Sequence, residues 1–136
     1  MGWIAPVLLG LQVLLAVSAH AAEPTVMIEL NTAEAAESRC CLTFVIENKN
    51  PTPLESLKVD FVIFSRDGRV HRRMLAEMGP LRGAKTIVKS FAVDGDCAEL
   101  RSILVNDVAA CTPGEASACL DGLGLTSRIE GMRLFK

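Results

Sequence analysis

The sequence predicts a single all-β domain, an antiparallel β-sandwich of about seven short strands, preceded by a signal-peptide helix. Three observations carry that expectation. Short runs rich in β-branched and aromatic residues recur with apolar side chains at every second position. Gly, Pro, Asn and Asp separate these runs at the intervals expected of sandwich or barrel turns. No long segment carries an i, i+3, i+4, i+7 stripe, and no strand–helix–strand alternation appears. With 136 residues the chain has room for one core and not for two.

Residues 1–22 contain no charged side chain, and residues 4–17 are apolar except for Pro6, Gly10 and Gln12. Ala19-His20-Ala21 places small residues at the −3 and −1 positions of a signal-peptidase site. The expectation is a cleaved Sec-type signal peptide over 1–21 and a β-sandwich domain over 22–136. The apolar run is about 14 residues, short of the roughly 20 that span a bilayer, so no stable membrane insertion is expected after its removal. No Arg-Arg pair precedes the run and no Cys stands at the cleavage point, which argues against a twin-arginine route and a lipid anchor.

The elements follow in order. Residues 26–30 (Val-Met-Ile-Glu-Leu) are a short strand, and residues 31–39 are polar and Ala/Glu-rich, a loop or single helical turn. In the next run Cys40, Leu42, Phe44 and Ile46 share one face, while Cys41, Thr43, Val45 and Glu47 share the other. Asn and Pro over 48–53 stop that strand. Leu57, Val59, Phe61 and Ile63 resume the inward alternation. Asp67-Gly68 then predicts a two-residue hairpin, because Gly accepts the positive φ that the turn demands. Residues 70–75 run back, 86–93 and 103–108 are further strands, 113–124 holds one helical turn ending at Gly122, and 129–135 closes the chain. The tally is about seven strands. An antibody-type core is disfavoured because its Cys–Trp–Cys signature is absent, the one Trp being Trp3.

The cysteines remaining after export are Cys40, Cys41, Cys97, Cys111 and Cys119, an odd number in an oxidising compartment. If successive strands alternate up and down, Cys97 falls at the same end as Cys40 and Cys41, with Cys111 and Cys119 at the other. Joining Cys97 to Cys111 would cross roughly 20 Å of strand. A disulfide allows about 4.4–6.8 Å between Cα atoms. Cys40 lies on the inward face, so the predicted bonds are Cys40–Cys97 and Cys111–Cys119, worth about 4 and about 2.5 kcal/mol by chain entropy. Cys41 is left over and outward, either a tolerated surface residue or a thiol that links two copies. Adjacent cysteines are not Cys-x-x-Cys, so oxidoreductase chemistry has little support.

The composition excludes more than it proposes. A net charge of −2 does not suit a protein built for nucleic-acid phosphates. After signal removal His71 is the sole histidine, so no catalytic zinc set is expected; His71, Met74 and Met78 do not share a strand face, which disfavours copper. Asp94, Asp96 and Glu99 lack the spacing of a calcium loop. No Gly-x-Ser-x-Gly, nucleophile–base pair or phosphate loop is present, and neither catalysis nor a cofactor is expected. The phenylalanines at 44, 61, 64, 91 and 135 are expected mostly in the core. One surface feature remains: Arg66, Arg69, His71, Arg72 and Arg73 cluster about the predicted hairpin. They form either a solvated edge that resists pairing with another chain or a preformed docking edge for an acidic protein.

Cys-Cys-Leu-Thr-Phe-Val-Ile-Glu-Asn (40–48), Leu-Lys-Val-Asp-Phe-Val-Ile-Phe-Ser-Arg-Asp-Gly-Arg-Val (57–70), Ile-Leu-Val-Asn-Asp-Val-Ala-Ala-Cys (103–111) and Ser-Arg (127–128) are the most distinctive runs. Over about residues 38–130 the chain resembles a family of small exported alphaproteobacterial proteins with no assigned activity. Cys40, Cys97, Cys111 and Cys119 match that pattern, and Cys41 departs from it. The Asp-Gly run is also similar to short periplasmic immunoglobulin-like sandwiches, although Phe61-Val62-Ile63-Phe64-Ser65 departs from their Phe-x-Leu-Tyr-Asp motif. Neither resemblance implies a catalytic residue. The functional expectation is a non-catalytic periplasmic or secreted module, monomeric or Cys41-linked, that binds another envelope protein. The alternatives are a thiol-responsive protein acting through Cys41 and, behind it, a small hydrolase or metal-site protein.

Overall fold

Alternation in the sequence becomes two stacked sheets in the computed structural model, which describes residues 1–6, 10–18 and 23–136. The elements are β1 (Val26–Ala36), β2 (Arg39–Asn48), β3 (Ser56–Ser65), β4 (Val70–Glu77), β5 (Thr86–Asp94), β6 (Leu100–Thr112), α1 (Ala116–Asp121), β7 (Leu123–Ser127) and β8 (Arg133–Phe135), with a 3-10 turn at Cys97–Glu99. One sheet has the order β5-β2-β1-β7 and the other β4-β3-β6-β8, with no closed barrel. Cys40, Leu42, Phe44 and Ile46 from β2 and Leu57, Val59, Phe61 and Ile63 from β3 are fully buried, as their period-2 placement predicts. Phe44 and Phe61 stack between the sheets at 5.3 Å, and Phe91 meets Phe44 edge-on at 6.1 Å. Asn48 is the buried polar residue of this core. Its side chain donates to the Thr52 and Arg82 carbonyls and accepts the Asn50 N–H, so no polar atom is stranded.

Several expectations are corrected. Among the described residues the strands number eight, and two pairings, β1 with β7 and β6 with β8, are parallel. Residues 31–36 are not a loop: β1 runs on to Ala36, paired with Arg39, and the chain reverses through Glu37 at φ 58°. Poor strand formers are held there by cross-strand pairing, which overrides propensity. β1 also slips register between Leu30 and Thr32, which hides its continuation. β6 extends to Thr112 because register shifts against β3 stretch its buried positions to Ile103, Val105, Val108 and Cys111, a spacing that strict alternation does not recognise. The Asp67-Gly68 hairpin has a three-residue loop rather than two. The Gly68 N–H reaches the Ser65 carbonyl at 2.9 Å and Gly68 takes φ 83°, the left-handed step of a bulged turn. The helical turn does end at Gly122, but at φ −79°. Glycine is needed there for closeness, since a Cβ would stand 2.6 Å from Thr25 Oγ1.

No helix forms in the described part of the N-terminal segment. The described residues 1–6 and 10–18 have neither helix nor strand, and Trp3, Ile4, Leu11, Leu14, Leu15 and Val17 lie exposed. An isolated apolar stretch interrupted by Pro6 and Gly10 gains nothing that offsets helix nucleation. The predicted Ala19-His20-Ala21 cleavage site lies outside the described residues. Among the described residues no helix is long and apolar enough to cross a membrane.

Candidate functional site

Both predicted disulfides form. Cys40–Cys97 spans 5.0 Å between Cα atoms and ties the start of β2 to the β5–β6 connection; Cys111–Cys119 spans 6.5 Å and ties β6 to α1. They stand at opposite ends of the sandwich, so a swapped pairing is sterically closed. Two intrachain disulfides fit a chain that matures in an oxidising compartment. Cys41 is free and half-buried on the outer face of its sheet, directly between Glu34 of β1 and Ala92 of β5.

The predicted basic cluster does not stay together. Arg73 points to the outer face of the β4-β3-β6-β8 sheet and donates to Asp60 at 2.7 Å. Asn106 also donates to Asp60, and these two partners hold its carboxyl below the usual aspartate range, Asn106 foremost. Arg72 crosses the gap between the sheets to Asp94, which also takes Arg39 at 3.1 Å. A register shift of β4 between its pairings with Ile63 and Phe64 turns His71 toward the same place. His71 Nε2 lies 2.7 Å from the Asp94 carbonyl, so that nitrogen carries the proton. Arg69 lies beside its turn neighbour Asp67 at 3.6 Å. Arg66 turns away from all of these. Its Nε donates to the Ala98 carbonyl at 2.9 Å and its Nη1 to the Gly131 carbonyl at 3.3 Å.

Arg66 thereby joins a second group that the contiguous run of arginines conceals. A groove of about 800 Å³ opens beside the hairpin, bounded by Phe64, Arg66, Arg101, Leu125, Ile129, Arg133 and Phe135, with no Asp or Glu in its lining. Arg133 and Phe135 occupy alternate positions of β8 and so share a face; the guanidinium sits 4.0 Å above the ring centroid. Arg101 reaches the hairpin tip, its Nη1 3.9 Å from where a Cβ on Gly68 would be. Among the described residues none of these three arginines is ion-paired. Phe64 and Phe135 are half-buried walls of this groove rather than core, correcting the expectation for them. The signal for Phe64 was present, since inward Phe61 and Ile63 put residue 64 on the outer face. Arg101 and Arg133 carry no comparable local signal.

No family model, no curated protein and no solved structure matches the chain. Among the described residues no group of three His, Cys, Asp or Glu is arranged to hold a metal ion. A second, smaller hollow of about 290 Å³ lies at the opposite end beside Cys119, Asn50 and Glu115. The larger groove sets the cations of Arg66, Arg101 and Arg133 beside the side chains of Phe64, Leu125, Ile129 and Phe135.

Proposed function

We propose that this chain is an exported, non-catalytic β-sandwich that binds another protein of the cell envelope through its hairpin end. The observation that carries the reading is the groove lined by Arg66, Arg101 and Arg133: Arg66 is held by two backbone carbonyls, Arg133 lies over the Phe135 ring, and among the described residues none of the three is ion-paired to a carboxylate. Leaving clustered like charges unneutralised costs self-repulsion, and an acidic partner relieves it. Export through a cleaved signal peptide is supported by the two disulfides and by the exposure of Trp3, Ile4, Leu11, Leu14, Leu15 and Val17 in the N-terminal apolar segment. The resemblance of residues 38–130 to small exported bacterial proteins points the same way.

Two measurements test this. Intact mass of the protein recovered by osmotic shock is expected to begin at Ala22, and that species has lost Trp3, so it absorbs at 280 nm only through cystine. Recovery of a species that retains Trp3 refutes processing. Crosslinked capture from the periplasm is expected to yield a partner with wild type that is lost with Arg101→Glu/Arg133→Glu. Identical yields from both baits overturn the reading. A second reading, a copy-to-copy disulfide through Cys41, rests on that thiol being free and half-buried. It requires a dimer on non-reducing gels that disappears in Cys41→Ser.

A further inference from the structure

We infer that the arginine-lined groove takes a short acidic peptide segment of its partner, one in which an Asp or Glu stands next to an apolar side chain; this rests on the proposed binding role and names its chemistry. The first reason is charge. Arg101 and Arg133 line the same hollow with no carboxylate in its walls, so a carboxylate entering it meets charge-assisted donors without displacing an internal partner. The second is preorganisation. Arg133 is held against the Phe135 ring at 4.0 Å, and Arg66 is pinned by two backbone carbonyls. Little rotamer entropy then remains to be lost on binding at these two side chains.

The third reason is shape. The groove has a volume of about 800 Å³ and is open to solvent rather than enclosed, which leaves room for a short peptide segment that stays partly in water. Phe64, Leu125 and Ile129 make part of its wall apolar beside the arginines, which favours an acid flanked by an apolar group over a bare inorganic anion. Guanidinium forks match carboxylates in two-point geometry, and removal of one such donor from a desolvated contact weakens binding by about tenfold or more.

The test selects a phage-displayed random heptapeptide library in parallel on the exported chain, on Arg101→Ala/Arg133→Ala and on Arg72→Ala. All three substituted side chains are exposed, and an unchanged urea midpoint shows that the variants fold. The expected result is enrichment of peptides with Asp or Glu beside an apolar residue on wild type and on Arg72→Ala but not on the double variant. Synthetic copies read by fluorescence anisotropy are expected to lose at least about tenfold in affinity on the double variant, and to weaken as salt rises. No enrichment, enrichment of basic or wholly apolar peptides, or the same peptides on all three proteins overturns the inference. So does phenyl phosphate binding as tightly as the best peptide, which would make this a small-anion site. If periplasmic capture still yields an Arg101-dependent partner while the library yields no acidic peptide, the peptide chemistry fails and the binding role stands. If neither appears, both fail.

Discussion

On the β4–β5 side of the sandwich, Asp94 takes both Arg39 and Arg72, Asp60 takes Arg73, and Lys89 Nζ donates to the Glu77 and Gly79 carbonyls at 3.1 and 2.8 Å. On the β7–β8 side, Arg101 and Arg133 meet no carboxylate among the described residues. The two sides are built from the same residue type and put it to opposite uses. β4 and β5 are long edge strands, eight and nine residues, with free backbone groups that another chain could pair with. An inward-pointing lysine and the Arg72–Asp94 ion pair across the gap guard that side against such pairing. β7 and β8 are short, five and three residues, and present little edge to guard. Among the described residues Arg101 and Arg133 there carry no such pair, as the proposed binding role requires.

The largest way to break this contrast is to remove the Cys40–Cys97 disulfide, next to the Ala98 carbonyl that holds Arg66. Cys40→Ser/Cys97→Ser is expected to lower stability by about 4 kcal/mol, read from urea unfolding. It should also loosen residues 97–99, whose Ala98 carbonyl anchors Arg66, so acidic-peptide affinity should fall with it. Loss of Cys111–Cys119, at the far end, is expected to cost about 2.5 kcal/mol and to leave affinity unchanged in whatever fraction remains folded.

Next in size is the guarded side. Lys89→Ala removes two hydrogen bonds to carbonyls and is expected to cost about 1–2 kcal/mol. It should also let β5 edges associate, seen as concentration-dependent elution in gel filtration. Glu77, whose backbone carbonyl accepts from Lys89, belongs to the same side. Burial raises its pKa, but hydrogen bonds donated by Ser56 and by the Leu57 and Gly79 N–H groups outweigh that and hold it below 4.5. A carboxyl depressed in the folded state stabilises the fold above its unfolded pKa and ceases to do so as pH falls through the folded value. Wild type should therefore lose stability below pH 4.5 more steeply than Glu77→Gln, which is expected to start about 1–2 kcal/mol lower at neutral pH.

The smallest effect on stability sharpens the contrast most. Asp94→Ala frees Arg39 and Arg72, both exposed pairs, and is expected to cost less than about 1 kcal/mol. It should create a second site for acidic peptides on the β4–β5 side, so that binding stoichiometry rises in titration calorimetry. An unchanged stoichiometry would show that unpaired arginines alone do not make a site and that the groove walls decide. Arg101→Ala is expected to shift stability by no more than about 0.5 kcal/mol while weakening peptide binding.

Strands were legible in the sequence wherever one face was buried without interruption, as in β2 and β3. There period 2 named the core residues and, through Cys40, the disulfide partner. They were illegible where a bulge broke the period. The register shift after Leu30 disguised half of β1, and the shifts in β6 spread its buried residues from every second to every third position. Short β7 and β8 gave too few residues for any period to register.

The chain by itself determined the class of fold and the end of the sandwich at which each cysteine falls, because both depend on alternation and strand direction, which are local properties. Only the tertiary structure decided which arginines are free. A run such as 66–73 is continuous in sequence, but a bulge and a tight turn send its members to different faces. There carboxylates as distant as Asp94 neutralise some of them, while Arg101 and Arg133 arrive from elsewhere to join Arg66. Coulombic partnership depends on separation in space, and spacing along a folded chain does not encode it.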